Sequence, residues 1–305
     1  MALLHLLEAG RTGFLDLFFQ GVTWLGQDLF TLALVLVLFW CVNKNLGYYL
    51  LYGEFFALSL NMALKNLFQV PRPWVRDPTL TPLSQALPAA TGYSFPSGHT
   101  ANATLVFGSL ARRTKSRLLR ALFCLVFLLV GFSRLYLGVH TPEDVFVSLA
   151  LSLAAALVLH PLCRRAERSP RFARALAGVA VLWTLAAAVL CRFVPLRDPA
   201  MAEVFASVFK DAWGFFGAAC AFFLVRELDE RRLRWKTDAV WWAQIGKCVL
   251  GLLLTVLLRE TLKAPLLALA GDRALAELVR NFLVVLFAGG LWPATFRFWG
   301  TLGRK

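Results

Sequence analysis

Residues 118–144 read LLRALFCLVFLLVGFSRLYLGVHTPED. From Leu118 to Leu137 this is an apolar run of about twenty residues, long enough to cross a bilayer as a helix. Arg134 sits inside the run, where an unpaired charge is costly. Behind the run come His140 and then Thr141-Pro142-Glu143-Asp144. That tetrapeptide has the form of a helix start: Thr as N-cap, Pro at the first helical position, acids in the first turn. A second apolar run follows, over 141–162. Two membrane helices are therefore expected to meet at a connection that carries titratable side chains.

The pattern extends in both directions. The chain has 305 residues, of which 59% are hydrophobic, and a mean hydropathy of +0.64. A soluble globule shows narrower apolar stripes and more charge. Nine spans are expected, roughly at 26–42, 46–68, 97–111, 118–137, 141–162, 176–195, 205–225, 239–258 and 279–299. The fold class is all-α, a polytopic integral-membrane helical bundle. Residues 1–25 are read as an amphipathic segment in the membrane interface, because Glu8 and Arg11 interrupt the apolar stretch and a basic leader is missing. Residues 26–200 form a six-span core and residues 201–305 an appended bundle of about three spans.

The formal net charge of +14 raises nucleic acid as a partner, and its distribution argues against that. The cations collect in short gaps: Arg112, Arg113, Lys115 and Arg117; Arg164, Arg165, Arg168 and Arg171; Arg231, Arg232, Arg234 and Lys236. Those gaps follow spans three, five and seven, and Lys44 follows span one. With Arg297, Arg304 and Lys305 at the C-terminal end, they mark the cytoplasmic side by the positive-inside rule. The six cysteines have no metal-ligand or redox spacing and read as small hydrophobes.

At the opposite ends of the spans lies a set of polar residues. Lys65 precedes Arg72-Pro73 by six residues; Pro96-Ser97-Gly98-His99 opens span three; Ser133-Arg134 closes span four; His140 and Asp144 begin span five. Lys65, Arg72 and Arg134 supply fixed positive charge, and arginine's planar fork matches two phosphate oxygens at once. Ser97 adds a hydroxyl, Gly98 allows close backbone approach, and a helix beginning at this point offers free amides to an anion. Asp144, one turn from His140, is positioned to accept a hydrogen bond from Nδ1 and fix the tautomer. Spacing alone does not say which histidine attacks phosphorus.

This order and spacing resemble the signature of the type-2 phosphatidic acid phosphatase family, the lipid phosphate phosphatases and their relatives. All three parts of that signature are present: Lys, six residues, Arg-Pro; Pro-Ser-Gly-His; and Ser-Arg, five residues, His, three residues, Asp. The resemblance covers roughly residues 15–195. It implies a membrane-embedded phosphatase with His140 as nucleophile, Asp144 orienting it and His99 as general acid, with Lys65, Arg72, Ser97, Gly98 and Arg134 binding phosphate. No metal and no other cofactor is expected. Trp74 and Arg76 are expected either to touch the lipid headgroup or to anchor at the interface. His5 and His160 are read as structural or interfacial.

The substrate expected is a lipid phosphate or diphosphate held in the bilayer, polyprenyl diphosphate first. Phosphatidic acid, phosphatidylglycerophosphate and sphingosine-1-phosphate are the other choices. A bacterial inner membrane is the expected location, with the site on the extracytoplasmic face. Transfer of the phosphoryl group to a hydroxyl acceptor is the alternative reaction, and a non-catalytic lipid-binding or transport protein is the alternative class. Two charges inside spans, Glu54 and Lys247, lie at similar depth and are expected to pair, docking the appended bundle. Lys210 and Asp211 are expected as a local pair or at the substrate entry.

Overall fold

The computed structural model describes residues 1–303; Arg304 and Lys305, used above as a charge marker, lie outside the described residues. Two short helices, α1 (Ala2–Ala9) and α2 (Gly13–Trp24), precede α3 (Asp28–Val37), which a π turn extends through Leu38–Val42. Next, α4 (Lys44–Gly53) passes through a π turn at Glu54–Leu58 into α5 (Ser59–Phe68). A loop with the short α6 (Pro73–Arg76) leads to α7 (Gly98–Arg113), α8 (Arg117–Tyr136), α9 (Pro142–Arg168) and α10 (Pro170–Phe193). The C-terminal part holds α11 (Ala202–Leu228), α12 (Trp241–Thr261), α13 (Lys263–Ala270), α14 (Arg273–Leu286), α15 (Trp292–Ala294) and α16 (Phe296–Thr301).

Among the described residues, nine helical runs stand near the nine expected spans, and they are not equivalent. Six are long and apolar enough to cross a membrane, from α8 onward, and α2 with α3 makes a seventh only as a pair bent by 50°. The α4–α5 run carries Lys44, Glu54 and Lys65. Helix α7 has 16 residues and is buried throughout Thr100–Ser109. Both are walled by other helices, so their surfaces need not match lipid. Ser97 caps α7, its Oγ accepting from the Thr100 backbone N–H. Helix α9 opens with a capping box between Thr141 and Asp144.

The core joins the C-terminal helices along an aromatic seam. Trp40 Nε1 donates to the Ala288 carbonyl at 2.9 Å, and Phe222 stacks edge-on to Tyr48 and Tyr52. Helices α11 and α14 touch at Gly217, where a Cβ would come within 2.1 Å of the Leu278 carbonyl oxygen. At the end of the bundle that holds the basic loops, the buried Asp229 accepts from Lys44 Nζ and from the Tyr48 hydroxyl, each at 2.9 Å.

Glu54 and Lys247 do not pair. Lys247 reaches back along α12 to the Thr237 carbonyl at 2.9 Å and lies 4.5 Å from the Phe296 ring. The long lysine stem lets its ammonium travel to a carbonyl beyond its own helix start. Glu54 faces a cavity described below. Docking falls to Asp229 instead. Lys210 and Asp211 do form a local pair at 3.1 Å, with Glu277 4.0 Å away.

Candidate active site

Four helix ends converge at the face opposite the basic loops: the C-termini of α5 and α8 and the N-termini of α7 and α9. They bring Lys65, Arg72, Ser97, Arg134, His140 and Asp144 together, all buried, and put His99 at the second position of α7. His140 stands between two partners. Its Nδ1 meets Asp144 Oδ2 at 3.2 Å, and its Nε2 meets Arg72 Nη1 at 2.9 Å. A guanidinium only donates, so Nε2 is the acceptor and Nδ1 carries the proton toward the carboxylate. Burial, followed by the charges of Arg72, Arg134 and Lys65, holds His140 well below its ordinary 6.5. The imidazole is neutral at pH 7, with its Nε2 lone pair directed at the Arg72 guanidinium.

One oxygen organises the carboxylate end. Asp144 Oδ2 accepts from His140 Nδ1, from the Thr141 backbone N–H at 2.8 Å and from Ser94 Oγ at 2.5 Å. The sequence offered Thr141 as a cap, but Ser94 was missed. It lies in the irregular segment before Pro96, where no periodicity predicts a side chain's direction.

The cations are tied to neutral acceptors, mostly backbone carbonyls, which do not compensate their charge. Arg72 donates from Nε to Gly92, from Nη2 to Thr91 and from Nη1 to Val139, at 3.0, 2.6 and 3.0 Å. Burial pushes it down to about 10, still protonated at neutral pH. Lys65 Nζ donates to the Tyr93 carbonyl at 2.7 Å. Arg134 donates from Nη1 to Thr23 Oγ1 at 2.7 Å, while its Nε and Nη2 are buried with no hydrogen-bond partner among the described residues. Three buried cations thus gather around Asp144, the one buried carboxylate of the set. Such an excess of donors and positive charge suits a phosphoryl group.

Helix α2 enters the site through Thr23, and the following turn enters through Gly26. A Cβ on Gly26 would lie 2.5 Å from the His99 carbonyl oxygen, so only glycine permits this approach. Neither residue was legible, because Thr23 falls in the segment read as interfacial and Gly26 at the first residue of the expected span one. His5 Nε2 also bonds Asp77 at 2.9 Å and Arg11 donates to the Tyr136 carbonyl, so α1 and α2 fasten the 72–92 loop to α8. Trp74 lies 5.9 Å from the Arg72 guanidinium and packs beside Phe19 and Tyr136. Arg76 is exposed, without a side-chain partner among the described residues. His160 sits edge-on to Tyr49, remote from this face.

Two family models match the chain. The PAP2 superfamily model covers residues 46–168, which contain every residue of the three-part set. The model for the transmembrane extension of PAP2 superfamily phosphatases covers residues 213–304. This chain belongs to the PAP2 superfamily. It is 30% identical over 164 residues to a probable sphingosine-1-phosphate phosphatase of Dictyostelium discoideum, covering 50% of this chain and 39% of that protein. It is 29% identical over 187 residues to lipid phosphate phosphatase delta of Arabidopsis thaliana, covering 57% and 44%. It is 30% identical over 125 residues to the undecaprenyl-diphosphatase BcrC of Bacillus subtilis, covering 40% and 62%. The chain therefore spans about two fifths of the length of the first two relatives. The crystal structure of Aquifex aeolicus LpxE aligns with a TM-score of 0.46 at 27% identity, over 52% of this chain and 92% of that one.

Proposed function

We propose that this PAP2 protein is an integral-membrane lipid phosphatase that releases phosphate from a lipid phosphate monoester or diphosphate through a phosphohistidine on His140. The observation that carries the reading is the polarity of His140: proton on Nδ1 toward Asp144, lone pair on Nε2 toward the cations. In the first step the Nε2–phosphorus bond forms as the bond from phosphorus to the lipid oxygen breaks, and His99 protonates that oxygen. In the second step His99 takes a proton from water, the water oxygen bonds to phosphorus, and the Nε2–phosphorus bond breaks. Lys65, Arg72 and Arg134 balance charge on the non-bridging oxygens, together with the Ser97 hydroxyl and the backbone at Gly98. Residues 26–200 carry this chemistry, and 201–305 are appended to them. The relatives' names span a sphingoid phosphate and a polyprenyl diphosphate, which supports the lipid class.

The basic loops lie at the end of the bundle away from His140, which supports an extracytoplasmic site and a cytoplasmic C-terminus. The test is phosphate release by the purified protein in detergent with EDTA present, beside His140→Ala. Release that survives EDTA and disappears in the variant is expected. Release that persists in the variant would refute the nucleophile. Release only when an alcohol acceptor is added would make the protein a phosphotransferase.

A further inference from the structure

A cavity of about 380 Å³ lies where the catalytic core meets the C-terminal helices. It begins beside Gly98, next to the phosphate-binding residues, and runs inward between α3, α4, α11 and α14. Along α11 its lining extends from Asp211 to Val225, which at ~1.5 Å per residue is roughly 21 Å of depth. The far end is apolar, walled by Phe39, Phe222, Val225 and Ala288. The near end is acidic: Asp28, Asp211 and Glu277 line it, Glu54 stands deeper, and Arg259 is the one cation in the wall.

The acids are unequal. Asp211 has Lys210, and Glu277 has Arg280 at 2.5 Å. Asp28 Oδ1 accepts only the neutral Asn102 amide, at 2.6 Å, and Glu54 has no hydrogen-bond or ion-pair partner among the described residues. Asn61, 3% exposed, also lines the space; its Oδ1 is buried without a partner and its Nδ2 bonds nothing among the described residues. Asn102 lies about one helical turn beyond Gly98 on α7, so its bond to Asp28 sets that carboxylate within about a turn of the phosphate-binding end of α7, on the wall of the cavity. A narrow apolar well with uncompensated carboxylate at its mouth fits an amphiphile with one hydrocarbon chain and a cationic group near its phosphate.

We propose that the C-terminal helices complete the substrate site, and that the cavity takes the chain of a long-chain amino-alcohol phosphate whose ammonium is held by Asp28. The inference rests on the assignment of Lys65, Arg72 and Arg134 to phosphate. Asp28 is then the specificity-determining carboxylate, and α11 and α14 supply one wall of the chain pocket.

The test compares kcat/KM of the full-length protein on sphingosine-1-phosphate, on lysophosphatidic acid of equal chain length, on undecaprenyl diphosphate and on the small soluble ester p-nitrophenyl phosphate. The amino lipid should exceed lysophosphatidic acid about tenfold, the scale of one hydrogen bond to a charged group. Asp28→Asn keeps an acceptor for Asn102 and should bring that ratio to about one. Ala218→Phe intrudes on the cavity and should lower kcat/KM on both single-chain lipids about tenfold relative to the small ester. The wild-type ratio decides even if a variant fails to fold. A wild-type ratio near one, preference for the polyprenyl substrate, or a ratio that survives Asp28→Asn would overturn the proposal while leaving His140-dependent hydrolysis of the small ester standing. Absence of His140-dependent phosphate from every ester would instead overturn the site assignment, and the inference with it.

Discussion

Asp144→Asn separates two jobs that one carboxylate performs. In the proposed reaction the charge stabilises the imidazolium-like state as His140 bonds to phosphorus, and the geometry fixes which ring nitrogen holds the proton. In many histidine sites an Asn replacement loses both, because the amide can turn its NH₂ toward the ring and invert the tautomer. Here it cannot turn freely. The oxygen that faces His140 Nδ1 also accepts the Thr141 N–H at 2.8 Å and the Ser94 hydroxyl at 2.5 Å. An NH₂ in that position would face the Thr141 N–H donor, so the amide oxygen takes it and the tautomer survives. What is lost is the charge assistance of one hydrogen bond, about 1.5–3 kcal/mol. At 1.36 kcal/mol per decade this is roughly a 10- to 150-fold fall in kcat. Asp144→Ala removes the acceptor as well and should approach the activity of His140→Ala. Single-turnover phosphate release in detergent measures both. An Asn variant as inactive as His140→Ala would refute the argument that Ser94 and Thr141 hold the orientation. Full activity would refute any role for the charge.

Three further outcomes follow from the same contacts. Thr23→Val deletes the one side-chain acceptor that the buried Arg134 guanidinium has among the described residues and should lower kcat/KM roughly 5- to 160-fold, a loss of about 1–3 kcal/mol; wild-type kinetics would show that Thr23 does not position Arg134. His140 is held below 6.5, so it stays neutral as pH falls to 6.5 and is protonated only below that value. The acid limb of kcat/KM assigned to the nucleophile should therefore lie under pH 6.5, once the substrate's own ionisation is measured separately. The unfolded chain takes up this proton first, so thermal stability should also decline as pH drops below 6.5. Asp229→Ala strips the buried Tyr48 hydroxyl and Lys44 of their shared acceptor. It should cost about 1–3 kcal/mol and speed protease cleavage near residues 233–240; an unchanged melting temperature would show that the clamp contributes nothing.

The residues that the fold gathers at the candidate site were legible because they are types that a bilayer otherwise excludes. Arg134 in an apolar run, and histidines at span ends, announce themselves against lipid-like surroundings. The helix start at Thr141 was legible for a local reason, since capping depends on neighbours within four residues. Ser94, Thr23 and Gly26 act across gaps of 50, 111 and 73 residues, to Asp144, Arg134 and His99 respectively. Their residue types are common in any loop or helix end, and only the fold gives them partners.

The expected pairing of Glu54 with Lys247 failed for a reason that applies to membrane bundles generally. Counting residues from a span end gives depth, and depth is only one of two coordinates on a helix. The other is azimuth, which advances about 100° per residue, and the Glu54–Leu58 π turn alters it for everything beyond. A lysine adds a third freedom, because its stem can carry the charge to a carbonyl beyond the span end, as Lys247 does toward Thr237. A glutamate has half that reach. It must find its partner near its own depth. Glu54 has no such partner among the described residues and faces the cavity proposed as the chain pocket, whereas Lys247 is satisfied near its own helix start.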